Sequence, residues 1–196
     1  MKLYITTASP YARRCRIVAL EKGVAIEEIA VDPYADAPEL LAANPVVQVP
    51  TLIARDGLPL TDSPVICEYF DEIGSGPRLL PSSGRERLAV RRLEVLADAA
   101  LEMGVKLVLE KRRPESERSP SWMTRWTVNM GRALDALEAA RPDADHLDMG
   151  VITAGVALDW IPFRHPDFDW KTGRPHLVAL AQALASRPSF AETAPA

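Results

Sequence analysis

The sequence predicts a protein with two domains, an α/β domain first and an all-helical domain after it. Short apolar runs typical of strands alternate with helical stretches in the first part of the chain, and strand signals disappear afterwards. A stretch rich in Gly, Ser and Pro over residues 74–84 separates the two parts. We therefore predict an α/β domain over residues 1–77, a linker over 78–84 and a helical domain over 85–196.

The first domain is predicted to have the element order β-α-β, a short connection, and then β-β-α. Strands are expected at residues 2–6, 27–31, 49–54 and 58–60, and helices at 10–22 and 63–72. Each helix starts with a Ser-Pro pair, in which Ser9 or Ser63 serves as N-cap and Pro fills the first helical position. Gly23 ends the first helix. This order is typical of a thioredoxin-like domain with a four-stranded mixed sheet.

The second domain is predicted to consist of helices that bury one apolar stripe each. Residues 82–113 lack proline and carry apolar residues at helical spacing. Two more stripes follow, and we expect both to pack in the core. They consist of Trp122, Trp126, Met130, Ala133, Leu134 and Leu137, and of Leu177, Leu180, Ala181 and Leu184.

Composition excludes several classes of function. The chain has 196 residues, of which 26% are charged, and a net charge of −4, so we do not expect nucleic acid as a partner. The short basic runs at 13–14 and 111–113 are predicted to be solvated helix faces or ends. No apolar run approaches the ~20 residues that span a bilayer, and no targeting segment is visible. The expected compartment is the cytoplasm, without membrane association.

Cysteine and histidine indicate neither a disulfide framework nor a metal site. The two cysteines, Cys15 and Cys67, have no metal-finger spacing, and both are expected to be buried in helices. No two of the three histidines, His146, His165 and His176, have the i, i+4 spacing of a zinc-binding helix. We therefore expect no metal cofactor.

One candidate site lies where the first strand passes into the first helix, at residues 7–11. The free N–H groups and the dipole of a helix start favour an anion, and they lower the pKa of a thiol placed there. Ser9 carries no thiol, but its hydroxyl could donate a hydrogen bond to a thiolate brought by a ligand. The alternative is that Ser9 only caps the helix.

Two further segments could bind an extended peptide. Pro50 opens a strand, either as an edge device or as a cis-proline whose preceding residue, Val49, is open to backbone pairing. Asp62 and Ser63 begin the next helix, where N–H groups and a hydroxyl suit a carboxylate and Asp62 suits an ammonium group. Taken alone, this last segment could also be an ordinary capping sequence.

In this order, the three segments resemble the glutathione transferase superfamily. Residues 9–23 resemble its first active-site helix, 44–52 its cis-proline segment and 62–70 its γ-glutamyl-binding helix. The resemblance continues through residues 158–190 and covers nearly the whole chain. It implies a thioredoxin-like domain followed by an all-α domain.

The resemblance also implies roles for individual residues. Ser9 falls where serine-type members place their activating hydroxyl, and Pro50 matches the cis-proline. Val49 corresponds to the residue whose backbone pairs with the cysteinyl unit of glutathione. Asp62 and Ser63 match the pair that binds the γ-glutamyl end.

Two more residues complete the predicted glutathione site, of which Gln48 is the looser match. Gln48 lies where members carry a Lys or Gln toward the glycyl carboxylate, and Tyr11 lies in the first turn of the active-site helix. The resemblance implies an enzyme that activates the thiol of glutathione, its co-substrate, for attack on an electrophilic small molecule. It also implies a homodimer and a role in detoxification.

Two alternative functions stay open, and the sequence departs from the family pattern at two points. The chain could be a binding or regulatory module with little turnover, or it could exchange thiols and disulfides, which Ser9 at the thiol position disfavours. Ser9 has no general base nearby in the sequence. Asp148 keeps the N-cap of a later helix, but Val151 replaces the acidic residue that would complete a capping box.

Overall fold

The computed structural model describes residues 1–35 and 37–195, which divide into two compact units. The first unit contains residues 1–80 together with 187–195, and the second contains residues 81–186. The last residues therefore pack with the α/β unit, a return that no sequence pattern indicated. The domain boundaries inferred from the sequence remain predictions.

The first unit contains the predicted four-stranded mixed sheet. Its strands are β1 (Lys2–Ile5), β2 (Glu27–Ala30), β3 (Thr51–Ile53) and β4 (Pro59–Thr61). Their order across the sheet is β2-β1-β3-β4, with β1 parallel to β2 and antiparallel to β3, and with β3 antiparallel to β4. The predicted thioredoxin-like topology is confirmed, with strand ends that shift by at most two residues.

Eight α-helices lie among the described residues. They are α1 (Pro10–Glu21), α2 (Pro38–Ala43), α3 (Ser63–Ile73), α4 (Gly84–Arg112), α5 (Pro120–Ala140), α6 (Met149–Arg164), α7 (Pro175–Ala185) and α8 (Pro188–Ala191). The predicted short connection between β2 and β3 contains α2, whose six residues are too few to give a periodic pattern. The second unit holds α4 to α7, so the all-helical second part is confirmed.

The core of the first unit lies between the sheet and the helices α1 and α3. Leu3 and Leu52 face it from the sheet, Ile17 from α1, and Ile66 and Phe70 from α3, and each is fully buried. Three of the four residues of β1 and two of the three residues of β3 are buried, and these strands pack here against the apolar faces of the helices.

A buried ion pair fixes the chain after α3. The Lys22 ammonium lies 3.0 Å from the Asp71 carboxylate, and both side chains are at most 2% exposed. The oxygens of Asp71 also accept hydrogen bonds from the N–H groups of Leu79 and Leu80. Because a buried charge is costly without partners, this network holds residues 77–80 against the ends of α1 and α3.

The second unit is built around α6, whose first ten residues are all buried. Asp148 caps this helix by accepting a hydrogen bond from the N–H of Val151 at 2.8 Å, which confirms the predicted N-cap. The stripe on α5 is buried from Met130 to Leu137, as expected. The prediction for Trp122 is wrong, since 53% of this residue is exposed. The first turns of α5 extend beyond the core, and the buried residues of this helix begin at Met130.

Candidate functional site

The three candidate segments lie at one end of the sheet. Tyr4 of β1 is opposite Thr51 of β3, and Thr51 is opposite Thr61 of β4. The end of β1, the beginning of β3 and the end of β4 are therefore side by side. Ser9 follows β1, and the other two segments directly precede β3 and follow β4, so the register brings all three to the same edge.

The start of α1 is an N-cap made within one turn. The Ser9 hydroxyl oxygen accepts a hydrogen bond from the N–H of Ala12 at 3.2 Å, and Pro10 follows in the first helical position. This contact uses a lone pair of the oxygen and does not consume the hydroxyl hydrogen. Ser9 and Tyr11, which lies in the first turn, are both half-buried. The start of α1 can therefore offer a hydroxyl and the positive end of a helix dipole to an anion.

The loop before β3 contains a cis peptide bond between Val49 and Pro50, as predicted. Buried Asn44 organises this loop by donating hydrogen bonds to the Gln48 carbonyl at 3.1 Å and to the Thr51 hydroxyl at 3.0 Å. The Thr51 hydroxyl in turn donates to the Gln48 carbonyl at 2.8 Å. Gln48 is exposed and Val49 half-buried, so this edge of the loop faces outward.

The organising role of Asn44 could not be inferred from the sequence. Asn next to Pro is an ordinary turn signal, and nothing in the sequence indicates that this side chain is buried. Val47, three residues further on, has a positive φ of 51°. A β-branched residue rarely adopts this conformation, and such outliers cluster at functional sites.

The start of α3 is built differently from that of α1. The N-cap is Asp62 and not Ser63, and its carboxylate accepts a hydrogen bond from the adjacent N–H of Ser63 at 2.7 Å. Asp62 has φ 56° and ψ 148°, a region that residues other than glycine rarely occupy. Asp62 is exposed, whereas Ser63 is fully buried.

Two consecutive residues of α1 contact Ser63. The Arg14 guanidinium donates a hydrogen bond from Nη2 to the Ser63 hydroxyl oxygen. The Cys15 thiol lies 3.8 Å from the Ser63 carbonyl oxygen and donates to it. The predicted contact between Ser63 and a ligand stays a prediction, and its hydroxyl in this structure serves α1.

The prediction that Arg13 and Arg14 form a solvated face is wrong, since both are only 2% exposed. The Arg13 guanidinium donates to the Phe190 carbonyl at 3.2 Å and lies over the Phe190 ring. Arg14 points instead to Ser63. Adjacent cations were taken as solvated because Arg is rarely fully buried, and only the packing of α8 and α3 against α1 reveals their partners.

The cysteines are buried, as predicted. Cys15 is 0% and Cys67 1% exposed, and the Cys67 thiol lies 3.7 Å from the sulfur of Cys15. Burial raises the pKa of the Cys15 thiol well above its ordinary value, and the neighbouring Cys67 raises it further. Because both thiols are buried, neither is the accessible thiol that thiol-disulfide exchange uses.

No cluster of three or more potential metal-ligating side chains occurs among residues 1–35 and 37–195. Within the same ranges, no helix is long and apolar enough to cross a membrane.

Comparison with known proteins gives consistent results over the whole chain. Residues 3–78 match the model of the glutathione S-transferase N-terminal domain. The chain is 36% identical over 199 aligned positions to the "Uncharacterized GST-like protein YibF" of Escherichia coli, and the alignment covers 100% of this chain and 98% of that protein.

Two similar solved structures contain glutathione. A glutathione transferase family member from Pseudomonas fluorescens with bound glutathione has a TM-score of 0.93 and 31% identity, with 100% of this chain and 98% of that chain covered. A glutathione S-transferase from Methylobacillus flagellatus with bound glutathione has a TM-score of 0.91 and 32% identity, with 100% and 99% covered.

Proposed function

We propose that this chain, which belongs to the glutathione S-transferase family, binds glutathione at the edge of the sheet and activates its thiol for attack on an electrophilic small molecule. The observation that carries this proposal is the register of β1, β3 and β4, which brings the three candidate segments to one edge. A tripeptide in an extended conformation could contact all three at once.

The thiol end of glutathione belongs, in this proposal, at the start of α1. Ser9 would donate its hydroxyl hydrogen to the thiolate, since its oxygen already accepts from Ala12. Tyr11 would border the sulfur and the electrophile. The backbone of Val49 would pair with the cysteinyl unit, and exposed Gln48 would meet the glycyl carboxylate.

The γ-glutamyl end belongs at the start of α3. The exposed Asp62 carboxylate would pair with the ammonium group, and the first turn of α3, with Ser63, would receive the carboxylate. Such a site would bind the ammonium and the carboxylate of an amino acid together. The γ-glutamyl unit is the one end of glutathione that carries both groups.

The energy required for thiol activation is within reach of such a site. Lowering the pKa of a thiol by about 2 units requires about 2.7 kcal/mol. A helix N-terminus contributes about 0.3–1 kcal/mol, and one hydrogen bond to a charged group contributes about 1.5–3 kcal/mol. The thiolate sulfur would then form a bond to the electrophilic carbon, whose bond to the leaving group would break with the electron pair departing on that group as an anion, and the thiol proton would pass to solvent.

The test compares two serines that cap helices in the same way. Ser119 precedes Pro120 and caps α5 by accepting from the N–H of Trp122. Ser9→Ala is expected to raise the pKa of bound glutathione by about 1 unit or more, equivalent to about 1.4 kcal/mol, and to slow conjugation. Ser119→Ala should lose only the N-cap of α5 and leave both the pKa of bound glutathione and the conjugation rate unchanged. The readouts are the ultraviolet absorbance of the thiolate against pH and turnover of a general aromatic electrophile.

The results would separate the proposal from its rivals. An unchanged pKa in Ser9→Ala would leave Ser9 as a helix cap alone. Glutathione binding without turnover would favour a binding or regulatory module, a candidate supported by the cap that already engages the Ser9 oxygen. A homodimer, a cytoplasmic location and a role in detoxification form part of the same proposal, which family membership supports.

A further inference from the structure

Asn44 uses both polar atoms of its side chain to hold the loop before β3. The residue is 2% exposed, and its Oδ1 accepts a hydrogen bond from the N–H of Val46 at 3.1 Å. Its Nδ2 donates to the Gln48 carbonyl and to the Thr51 hydroxyl. Its backbone carbonyl also accepts from the N–H of Val47 at 2.9 Å. The loop is thus tied along its length to one buried residue.

These contacts fix the direction of the Gln48 carbonyl. Its oxygen accepts from Asn44 at 3.1 Å and from the Thr51 hydroxyl at 2.8 Å, and a carbonyl oxygen has two lone pairs. The peptide bond between Gln48 and Val49 is trans, so its N–H points opposite to its carbonyl. Because the carbonyl is directed inward to two buried side chains, the Val49 N–H is directed outward.

The backbone of Val49 stays unpaired although the residue is half-buried. Among the described residues, neither its N–H nor its carbonyl has a hydrogen-bond partner. The next residue, Pro50, has no N–H. Backbone groups that are withdrawn from water are nearly always paired, so an N–H and a carbonyl that are held in place without partners indicate a position for a partner outside the chain.

The loop keeps this arrangement at the cost of backbone strain. Val47 has a φ of 51°, which a β-branched residue rarely adopts, and such a conformation persists only where surrounding contacts impose it. The contacts of Asn44 with Val46 and Gln48, on either side of Val47, are of this kind. A loop that only had to connect α2 to β3 could relax this strain, so the strain indicates that the direction of the Val49 backbone matters.

We propose that Asn44 and Thr51 are a pair of positioning residues of the glutathione site: together they hold the Gln48 carbonyl inward, and they thereby direct the Val49 N–H to donate to the cysteinyl carbonyl of glutathione. This inference rests on the proposed binding of glutathione. Both residues are buried and need not touch the ligand. They act on one neutral hydrogen bond in the middle of the ligand and on neither of its charged ends.

The experiment measures what the cysteinyl carbonyl contributes to binding. Calorimetry gives the Kd of glutathione and of an analogue in which a trans carbon–carbon double bond replaces the cysteinyl–glycyl amide. The analogue keeps the thiol, the charged ends and the length of glutathione, but it offers no carbonyl to the Val49 N–H. The wild-type protein should bind glutathione about five- to tenfold more tightly than the analogue, as expected for one neutral hydrogen bond.

Two variants of nearly unchanged shape remove the positioning contacts. Asn44→Asp keeps an acceptor for Val46 but loses the amide donor to the Gln48 carbonyl, and Thr51→Val loses the hydroxyl donor. In each variant the ratio of the two Kd values should fall to about twofold, because the Val49 N–H is no longer held in the direction of the ligand. Thr51→Ser retains the hydroxyl and should retain the ratio. A purely structural role would lower stability or weaken both ligands equally, without a change in the ratio.

Thr153→Val is the matched control. Thr153 is also fully buried, and its hydroxyl also donates to a backbone carbonyl, that of Met149 at 2.7 Å, but it lies in the second unit. This variant should lower stability and leave the ratio unchanged. If Asn44→Asp does not fold, Thr51→Val and Thr51→Ser decide the question, with near-ultraviolet circular dichroism as the check on folding.

The outcomes separate this inference from the proposed function. An unchanged ratio in the folded variants that lack a donor to the Gln48 carbonyl would overturn the inference while glutathione binding stands. Equal affinities of the wild-type protein for glutathione and the analogue would overturn it as well, since the Val49 N–H would then make no contact with the cysteinyl carbonyl. A wild-type protein that binds neither ligand would overturn the proposed function itself.

Discussion

The starts of α1 and α3 perform similar tasks with different means. Ser9 caps α1 from within its first turn, with ordinary backbone angles of φ −79° and ψ 121°. Asp62 caps α3 with a rarely occupied backbone conformation, and the next residue is held by Arg14, 49 positions earlier in the chain. The start of α1 is stabilised by a contact within one turn, whereas the start of α3 also depends on a tertiary contact. The proposed functions match this contrast. The thiolate at the start of α1 needs one hydrogen-bond donor, whereas the γ-glutamyl end at the start of α3 needs partners for both its ammonium and its carboxylate.

The largest expected effect follows from removing the exposed charge of the α3 start. Asp62→Ala is expected to weaken glutathione binding by about 1.5–3 kcal/mol, about 10- to 150-fold in Kd, because the γ-glutamyl ammonium loses its charged partner. Calorimetry provides the measurement. Asp148→Ala removes the N-cap carboxylate of α6 and should leave the affinity unchanged. Equal affinities in wild type and Asp62→Ala would remove Asp62 from the site.

This contrast also explains how much could be predicted from the sequence. The Ser9 cap and the Asp148 cap depend on residues within one turn, so the local sequence was sufficient to predict them. The prediction of a solvated Arg14 was wrong because its partner, Ser63, comes only after three more strands in the chain, β2, β3 and β4. The cis bond at Pro50 was predicted through the family resemblance, since local sequence alone does not distinguish it from a trans bond.

Other features that the sequence analysis missed or predicted wrongly also depend on contacts that form only in the folded chain. The return of α8 onto α1 was missed because four helical residues give no periodic signal. Trp122 matched the stripe of buried residues on α5, but periodicity does not indicate where along a helix the core ends. The buried role of Asn44 depends on Thr51 and on the Gln48 carbonyl, a set of contacts that forms only in the folded loop.

A second prediction tests the backbone difference between the two helix starts. Asp62→Gly is expected to stabilise the protein by about 1 kcal/mol, because glycine adopts a φ of 56° without the cost that other residues pay. Ser9→Gly should instead lower stability by only a few tenths of a kcal/mol. Urea unfolding of the two variants gives both values. A loss of stability in Asp62→Gly would mean that the carboxylate cap outweighs the backbone strain.

A third prediction concerns the other end of α1, where the last residues of the chain are held. Burial opposes the ionisation of Glu21, but hydrogen bonds from Arg187 and Ser189 outweigh it, and the pKa of Glu21 lies below its ordinary value of 4.5. Ionised Glu21 therefore contributes stability above that pH, and the contribution is lost as the pH falls.

The difference in melting temperature between wild type and Glu21→Gln should thus be largest near neutral pH and shrink as the pH falls below about 4.5. Glu72→Gln, at an exposed position of α3, is the matched control and should show little difference at any pH. A Glu21 difference that grows on acidification would contradict the assigned direction of the pKa shift. Glutathione affinity should be unaffected, since this end of α1 is remote from Ser9 along the helix.

At Cys15 only stability is expected to change, and this prediction sharpens the comparison most directly, because Cys15 and Arg14 contact the same residue, Ser63, from the same helix. The Cys15 thiol donates a hydrogen bond to the Ser63 carbonyl oxygen at 3.8 Å. It carries no charge, since burial raises the pKa of this thiol. Cys15→Ala should cost about 1 kcal/mol of stability for the lost packing, and it should leave the Kd of glutathione unchanged. Urea unfolding gives the stability and calorimetry gives the Kd, and a Kd weakened in Cys15→Ala would mean that the proposed site at the start of α3 depends on this packing between α1 and α3.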